Sequence, residues 1–144
     1  MTSAAILLVD DEVPFVEAMM RRLKKRNLNV QAAFSGDEAL SLLDRDGSID
    51  VVVLDVKMPG MDGIETLREI KKKFPLVEVI MLTGHATVET AIEGMKLGAF
   101  DYLMKPCDMD ELLGKVAEAK AKKNKHEQKI IEARVKEIAL RRGD

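Results

Sequence analysis

Apolar residues follow two alternating rhythms along this chain. One is the short unbroken run: AAILLV at residues 4–9, VVVL at 51–54 and VEVIML at 77–82. Such runs, bounded by polar residues and rich in β-branched and aliphatic side chains, suit strands buried on both faces of a parallel sheet. Residues 29–33 and 99–104 read as two further strands. The other rhythm is helical. Val16, Met19, Met20 and Leu23 recur at i, i+3, i+4 and i+7 and form one apolar face. Ala39, Leu40 and Leu43 give a second helix its inner face. Ile64, Leu67 and Ile70 do the same for a third, over about residues 64–73, and Val88, Ala91, Ile92 and Met95 share a face of a fourth.

The residues between these patterns act as punctuation. Pro14 fits the first turn of a helix, and Asn27 a helix end. Ser35 with Glu38 three residues on reads as a capping box. Asp46-Gly47 breaks the second helix, and Met58-Pro59-Gly60 is a turn. Asp62-Gly63 starts the third helix and Pro75 closes it. Thr87 caps the fourth helix, Gly98 stops it, and Asp108 caps a fifth with Glu111 at the capping-box position. Strand–helix repeats five times. That order predicts an α/β fold: a five-stranded parallel sheet, helices on both faces and right-handed crossovers.

At 144 residues the chain is long enough for one domain with a proper core. Aromatics are only 3%, so that core is aliphatic, and a stacking surface for nucleic acid is disfavoured. Cys107 stands alone, which excludes an internal disulfide and fits a reducing compartment; it reads as a bystander. No apolar run approaches the roughly 20 residues of a membrane helix, and the start, MTSAAILLVDDE, has no basic region like that of a signal peptide. These features predict a soluble cytoplasmic protein. Arg21, Arg22, Lys24, Lys25 and Arg26 read as a solvated face that complements the helix dipole. The net charge of −2 hides an asymmetry: residues 1–115 carry −6 and residues 116–144 carry +4.

All strands of a parallel sheet end on one edge, where ligands bind. Asp10, Asp11, Asp55, Thr83 and Lys105 stand where apolar strands stop, so the topology brings them together. Adjacent acids repel unless something cationic sits among them. Alone, Asp10-Asp11-Glu12 would read as helix N-terminal acids. With Asp55 beside them they call for a hard cation, and Mg²⁺ suits an oxygen donor set while keeping positions open for phosphate. Lys supplies a point charge for phosphoryl oxygens, Thr a hydroxyl donor, and a carboxylate among them can become an acyl phosphate.

Four motifs in order, LLVDDE (residues 7–12), VLDVKMPGMDG (53–63), LTGHA (82–86) and GAFDYLMKP (98–106), make residues 6–116 resemble the receiver domain of response regulators in bacterial two-component signalling. The resemblance implies a flavodoxin-like sheet of order 2-1-3-4-5. It implies that Asp55 is the phosphoacceptor, charged by the phosphohistidine of a sensor histidine kinase or a histidine phosphotransfer protein. Asp10, Asp11, Asp55 and the Lys57 backbone carbonyl would hold Mg²⁺, or Mn²⁺ in its place. Thr83 and Lys105 would contact the phosphoryl group, Tyr102 would be the switch aromatic, and the Lys105–Pro106 bond would be cis. Lys57 and His85, two residues after Asp55 and Thr83, stand where the family tunes phosphoryl lifetime; the alternative is two exposed loop side chains. Met58, Met61, Met81, Met95 and Met104 read as core and loop filling.

On this reading the chain divides into a receiver, residues 1–118, and a helical extension, residues 119–144. The extension contains no Pro, and no Gly until Gly143. Residues 120–125 are polar nearly all round, which predicts a solvated or frayed stretch. Ile131, Val135 and Ile138 space as a short coiled-coil seam that pairs two chains, packs on a partner or begins a linker. The function expected is a switch rather than a metabolic enzyme. Phosphorylation would alter the face of the fourth helix, fifth strand and fifth helix and so control a protein partner or dimerisation, with no direct contact to nucleic acid or membrane. The alternative is the receiver part of a DNA-binding transcription regulator. A Mg²⁺-dependent phosphohydrolase is disfavoured, because DxDxT is missing after the first strand and no Walker A loop is present.

Overall fold

The computed structural model describes residues 4–58, 60–84 and 87–142. Apolar runs become strands and helical patterns become helices: β1 (Ala5–Val9), α1 (Val13–Lys25), β2 (Asn29–Ala33), α2 (Gly36–Arg45), β3 (Val51–Leu54), α3 (Gly63–Lys73), β4 (Glu78–Thr83), α4 (Val88–Lys96), β5 (Asp101–Met104) and α5 (Met109–Arg142). The strands pair in parallel in the order β2-β1-β3-β4-β5, the flavodoxin-like arrangement. Val9 pairs with both Ala33 and Leu54, so β1, β2 and β3 end level.

Side chains alternate between the two sheet faces, as strand geometry requires. Leu7, Val9, Val52, Leu54, Val79 and Met81 pack on one side with α2 and α3. Ile6, Leu8, Val51, Val53, Ile80 and Leu82 pack on the other with α1 and the first turns of α5. Both faces are covered, which is why β1, β3 and β4 are buried throughout.

The caps are local chemistry. Ser35 Oγ accepts the Glu38 N–H at 3.2 Å, while the Glu38 carboxylate reaches back to the Phe34 N–H at 3.3 Å, one residue earlier than a capping box places it. Thr87 and Thr90 make the full reciprocal box at α4. Asn27, at φ 59°, and Gly98, at φ 104°, take the left-handed conformation that ends α1 and α4. The Lys105–Pro106 bond is cis.

Three sequence expectations are corrected, and the apolar face of α4 is given its direction. β5 starts at Asp101 rather than 99, because the Ala99 N–H is used to close α4 onto Gly94 O. The shared apolar face of α4 is outward: Val88, Ile92 and Met95 are exposed, while Gly94 turns inward. Met95 and Met104 are accordingly surface residues, unlike the core residues Met58 and Met81. Lastly, residues 120–125 are not solvated all round. Lys123 is only 8% exposed and joins the sheet's amino-terminal edge. None of the helices among the described residues is long and apolar enough to cross a membrane.

Candidate functional site

The ladder runs one residue past three strand ends and fixes the backbone there. The Asp10 N–H donates to Ala33 O at 3.1 Å, the Asp55 N–H to Val9 O at 3.0 Å, and the Lys105 N–H to Thr83 O at 2.9 Å. Each side chain therefore leaves the sheet at its carboxyl edge. Asp10 and Asp55 are buried, Asp11 half-buried. Oxygens of the three carboxylates lie within 4.8 Å of one another.

Asp55 is further held by its loop. Its Oδ1 accepts the Val56 N–H at 2.9 Å. Asp62 caps α3 by accepting the Glu65 N–H at 2.9 Å. Gly63 then comes so close that a Cβ would sit 2.1 Å from Asp55 O and 2.5 Å from Val56 Cα. Glycine is required there for that approach.

Lys105 is the cation of the pocket among the described residues. Its Nζ lies 2.6 Å from Asp10 Oδ2, 2.9 Å from Glu12 Oε1 and 3.9 Å from Asp55 Oδ2. It also sits 4.0 Å above the Phe15 ring centroid, in cation–π range. Burial alone would lower the Lys105 pKa. Hydrogen bonds to Asp10 and Glu12, with the fields of Asp10 and Asp55, raise it above the ordinary lysine value. Burial raises the Asp10 carboxyl, and repulsion from Asp55 adds to it, against the relief given by Lys105 and the Glu12 N–H. Among the described residues, Asp10, Asp11, Glu12 and Asp55 thus bring four carboxylates to a pocket with one ammonium, and the donors they offer are hard oxygens. That set fits a divalent cation such as Mg²⁺.

Thr83 ends β4, fully buried, and pairs with Met104. Tyr102 is half-buried on β5, with its hydroxyl 2.9 Å from Thr90 Oγ1 of α4. Lys57 is exposed and lines a cavity of about 480 Å³ between α3 and α4, together with Arg68, Thr90 and Glu93. His85 lies outside the described residues. Cys107 is half-buried; burial, followed by the Glu111 carboxylate, pushes its pKa up to about 11, which disfavours the thiolate. Sequence reasoning missed two members of the pocket. Glu12 was counted only within the acidic triplet, and Phe15 carried no polar signal; its place one turn beyond the acids is the only hint.

Comparison with known proteins agrees with this geometry. Residues 6–117 match the response regulator receiver domain. The chain is 44% identical over 107 residues to the transcriptional regulatory protein ZraR of Salmonella typhimurium, covering 74% of this chain and 24% of that protein. It therefore spans about a quarter of the length of such relatives. A crystal structure of a response regulator receiver domain protein from Clostridium thermocellum superposes with TM-score 0.79 at 40% identity, over 84% of this chain and 97% of that one. One described as adenylate cyclase from Rhodopirellula baltica superposes with TM-score 0.85 at 28% identity, over 92% of this chain and 98% of that one. With five parallel strands in this order and an acidic pocket at their carboxyl edge, the chain belongs to the response regulator receiver domains of two-component signalling.

Proposed function

We propose that this chain is a cytoplasmic switch in which Asp55 accepts a phosphoryl group from the phosphohistidine of a sensor histidine kinase or a histidine phosphotransfer protein. The observation that carries the reading is the convergence of Asp10, Asp11 and Asp55 within 4.8 Å, with Lys105 3.9 Å from Asp55. Asp55 Oδ1 is occupied by the Val56 N–H, which leaves Oδ2, the oxygen facing Lys105, for attack on phosphorus. The new P–O bond gives an acyl phosphate as the donor's P–N bond breaks. The imidazole keeps the electron pair and takes a proton from solvent.

Asp10, Asp11, Asp55 and the Lys57 carbonyl are the residues that would hold Mg²⁺, or Mn²⁺. When bound, the ion neutralises phosphoryl oxygens. The protein's part is position and charge, which phosphoryl transfer chiefly requires. Lys105 leaves Glu12 to meet a phosphoryl oxygen, and Thr83 donates its hydroxyl to another. Tyr102 gives up Thr90 and turns inward beside Thr83. The outward residues of α4, Val88, Ile92 and Met95, with Met104 of β5, change their presentation. This face and the α5 seam are the proposed contacts for a downstream protein or a second copy.

Transfer chemistry lies in residues 1–118, and residues 119–144 add a second contact surface beside the switched face. A second reading, a receiver of a DNA-binding regulator, is favoured by the relatives named transcriptional regulatory proteins, of which this chain spans 24%. Intact mass spectrometry with acetyl phosphate tests the first reading. The expected result is a single phosphoryl adduct that requires both Mg²⁺ and Asp55 and is absent in Asp55→Asn. No adduct, or one indifferent to Asp55, would overturn it.

A further inference from the structure

The amino-terminal edge of the sheet, opposite the acidic pocket, holds a second charge cluster that the phosphoryl chemistry does not use. Asp50 precedes β3 and Glu78 opens β4; they are 5% and 0% exposed. Asp50 Oδ2 accepts the Ala5 N–H at 2.8 Å, and Oδ1 meets Lys123 Nζ at 2.9 Å and Lys120 Nζ at 3.0 Å. Glu78 has no hydrogen bond to either carboxylate oxygen among the described residues. Its cations are Lys71 at 3.8 Å and Lys122 at 3.6 Å. Lys71 is itself committed to Pro75 O and Val77 O, at 3.0 and 2.9 Å.

Three of these four lysines lie on α5, past its apolar stripe. Leu112, Val116 and Ala119 pack on the sheet, and Lys123 continues the same stripe one turn on. An ammonium thus stands where the helical period would otherwise place an apolar side chain. A buried carboxylate is tolerated only when paired, and here the pairing cations come from the helical extension.

We propose that Asp50 and Glu78 form an acidic docking surface whose partner is this chain's own basic segment, residues 120–123, and that this latch fixes the direction and rotation of the extension. Glu127, 3.7 Å from Lys123, marks the last turn held. Beyond it α5 projects as an arm, with Ile131, Val135 and Ile138 exposed. The arm leaves the body rigidly instead of through a loose linker.

Amide hydrogen exchange by mass spectrometry on the full chain tests this. Lys120→Gln/Lys123→Gln leaves Asp50 without its cations. Peptides within residues 117–127 are expected to exchange faster by on the order of tenfold or more, while peptides from β1, β3 and β4 keep their protection. Lys123→Arg keeps the charge and is expected to exchange as wild type there. Lys122→Gln changes a half-exposed side chain and gives a milder second reading; it too should speed the same peptides. Unchanged exchange in residues 117–127 in the double variant and in Lys122→Gln would overturn the proposal. So would a loss of protection spread evenly over the sheet, which would make the lysines general stabilisers.

Discussion

Replacing Gly63 by Ala tests whether the β3–α3 loop is held as tightly as its geometry implies. The added Cβ would lie 2.1 Å from Asp55 O, 2.5 Å from Val56 Cα and 2.8 Å from Val56 O, against an ordinary contact of 3.4–4 Å. All three neighbours are backbone, so no side chain can swing aside. The start of α3 must retreat by more than an ångström, against the Gly63 N–H bond to Val56 O at 2.7 Å. Losing that bond costs about 1 kcal/mol, and overpacking costs about 1–3 kcal/mol more. Ala returns about 1 kcal/mol through helix propensity. The net is a destabilisation of about 1–3 kcal/mol, which lowers the urea midpoint by about 1 M for a slope of roughly 2 kcal/mol/M. Retreat of the loop also displaces the Val56 N–H that holds Asp55, so the phosphoryl adduct should form more slowly. A midpoint within about 0.2 M of wild type, with adduct formation unchanged, would refute the claim that glycine is required.

Gly114→Ala is the counterpart, because a Cβ there meets nothing within 4 Å; in mid-helix it should stabilise by about 0.5–1 kcal/mol, read as a higher urea midpoint. Burial alone would raise the Asp50 carboxyl, but the Ala5 N–H, Lys123 and Lys120 hold it below the ordinary carboxylate value. A depressed carboxyl contributes stability that is present above its unfolded pKa and lost as pH falls through its folded one. With Lys120 and Lys123 on it, Glu127 beside Lys123, and Glu78 with Lys71 and Lys122 on the same edge, docking of residues 117–127 should weaken as pH falls below about 4. Asp50→Asn should flatten that dependence in hydrogen exchange, and an equally steep profile in the variant would exclude Asp50 as its source. Lys57→Ala and His85→Ala are each expected to change the dephosphorylation rate by about threefold or more, roughly 0.7 kcal/mol in barrier; two unchanged rates would leave both as plain loop residues.

Strands β1, β3 and β4 were legible because burial on both faces leaves an unbroken apolar run, and Asp10 and Asp55 because they stop such runs. Parallel topology then gathers them without further information. What escaped was long-range pairing. Lys123 meets Asp50 across 73 positions in sequence, so residues 120–125 read as solvated when only their own helix is considered. Glu12 and Lys105 lie 93 apart, and an acid after two other acids has no local sign of its partner. Phe15 looked like an ordinary apolar residue, since cation–π contact leaves no spacing signature. The direction of the α4 face was not legible either. Its apolar period is real, but the helix approaches the sheet through Gly94 and leaves the larger side chains outside.

The two charge clusters share their supports. β3 carries Asp50 before its first residue and Asp55 after its last, and β4 begins with Glu78 and ends with Thr83. A strand rises about 3.3 Å per residue, so each latch acid lies roughly 16 Å from its counterpart in the pocket. These are central strands of a close-packed sheet, and they do not stretch or bend to carry a signal. On the proposed mechanism, what moves on phosphorylation is Thr83 and Lys105 at the opposite edge, with Tyr102 of β5 and the outward surface of α4. The extension is therefore fixed to the part of the domain that stays still. Its seam and the α4–β5 face are two separate surfaces, one static and one switched. A partner that reads the phosphoryl state must touch the second, and the arm determines where that partner is held while it does so.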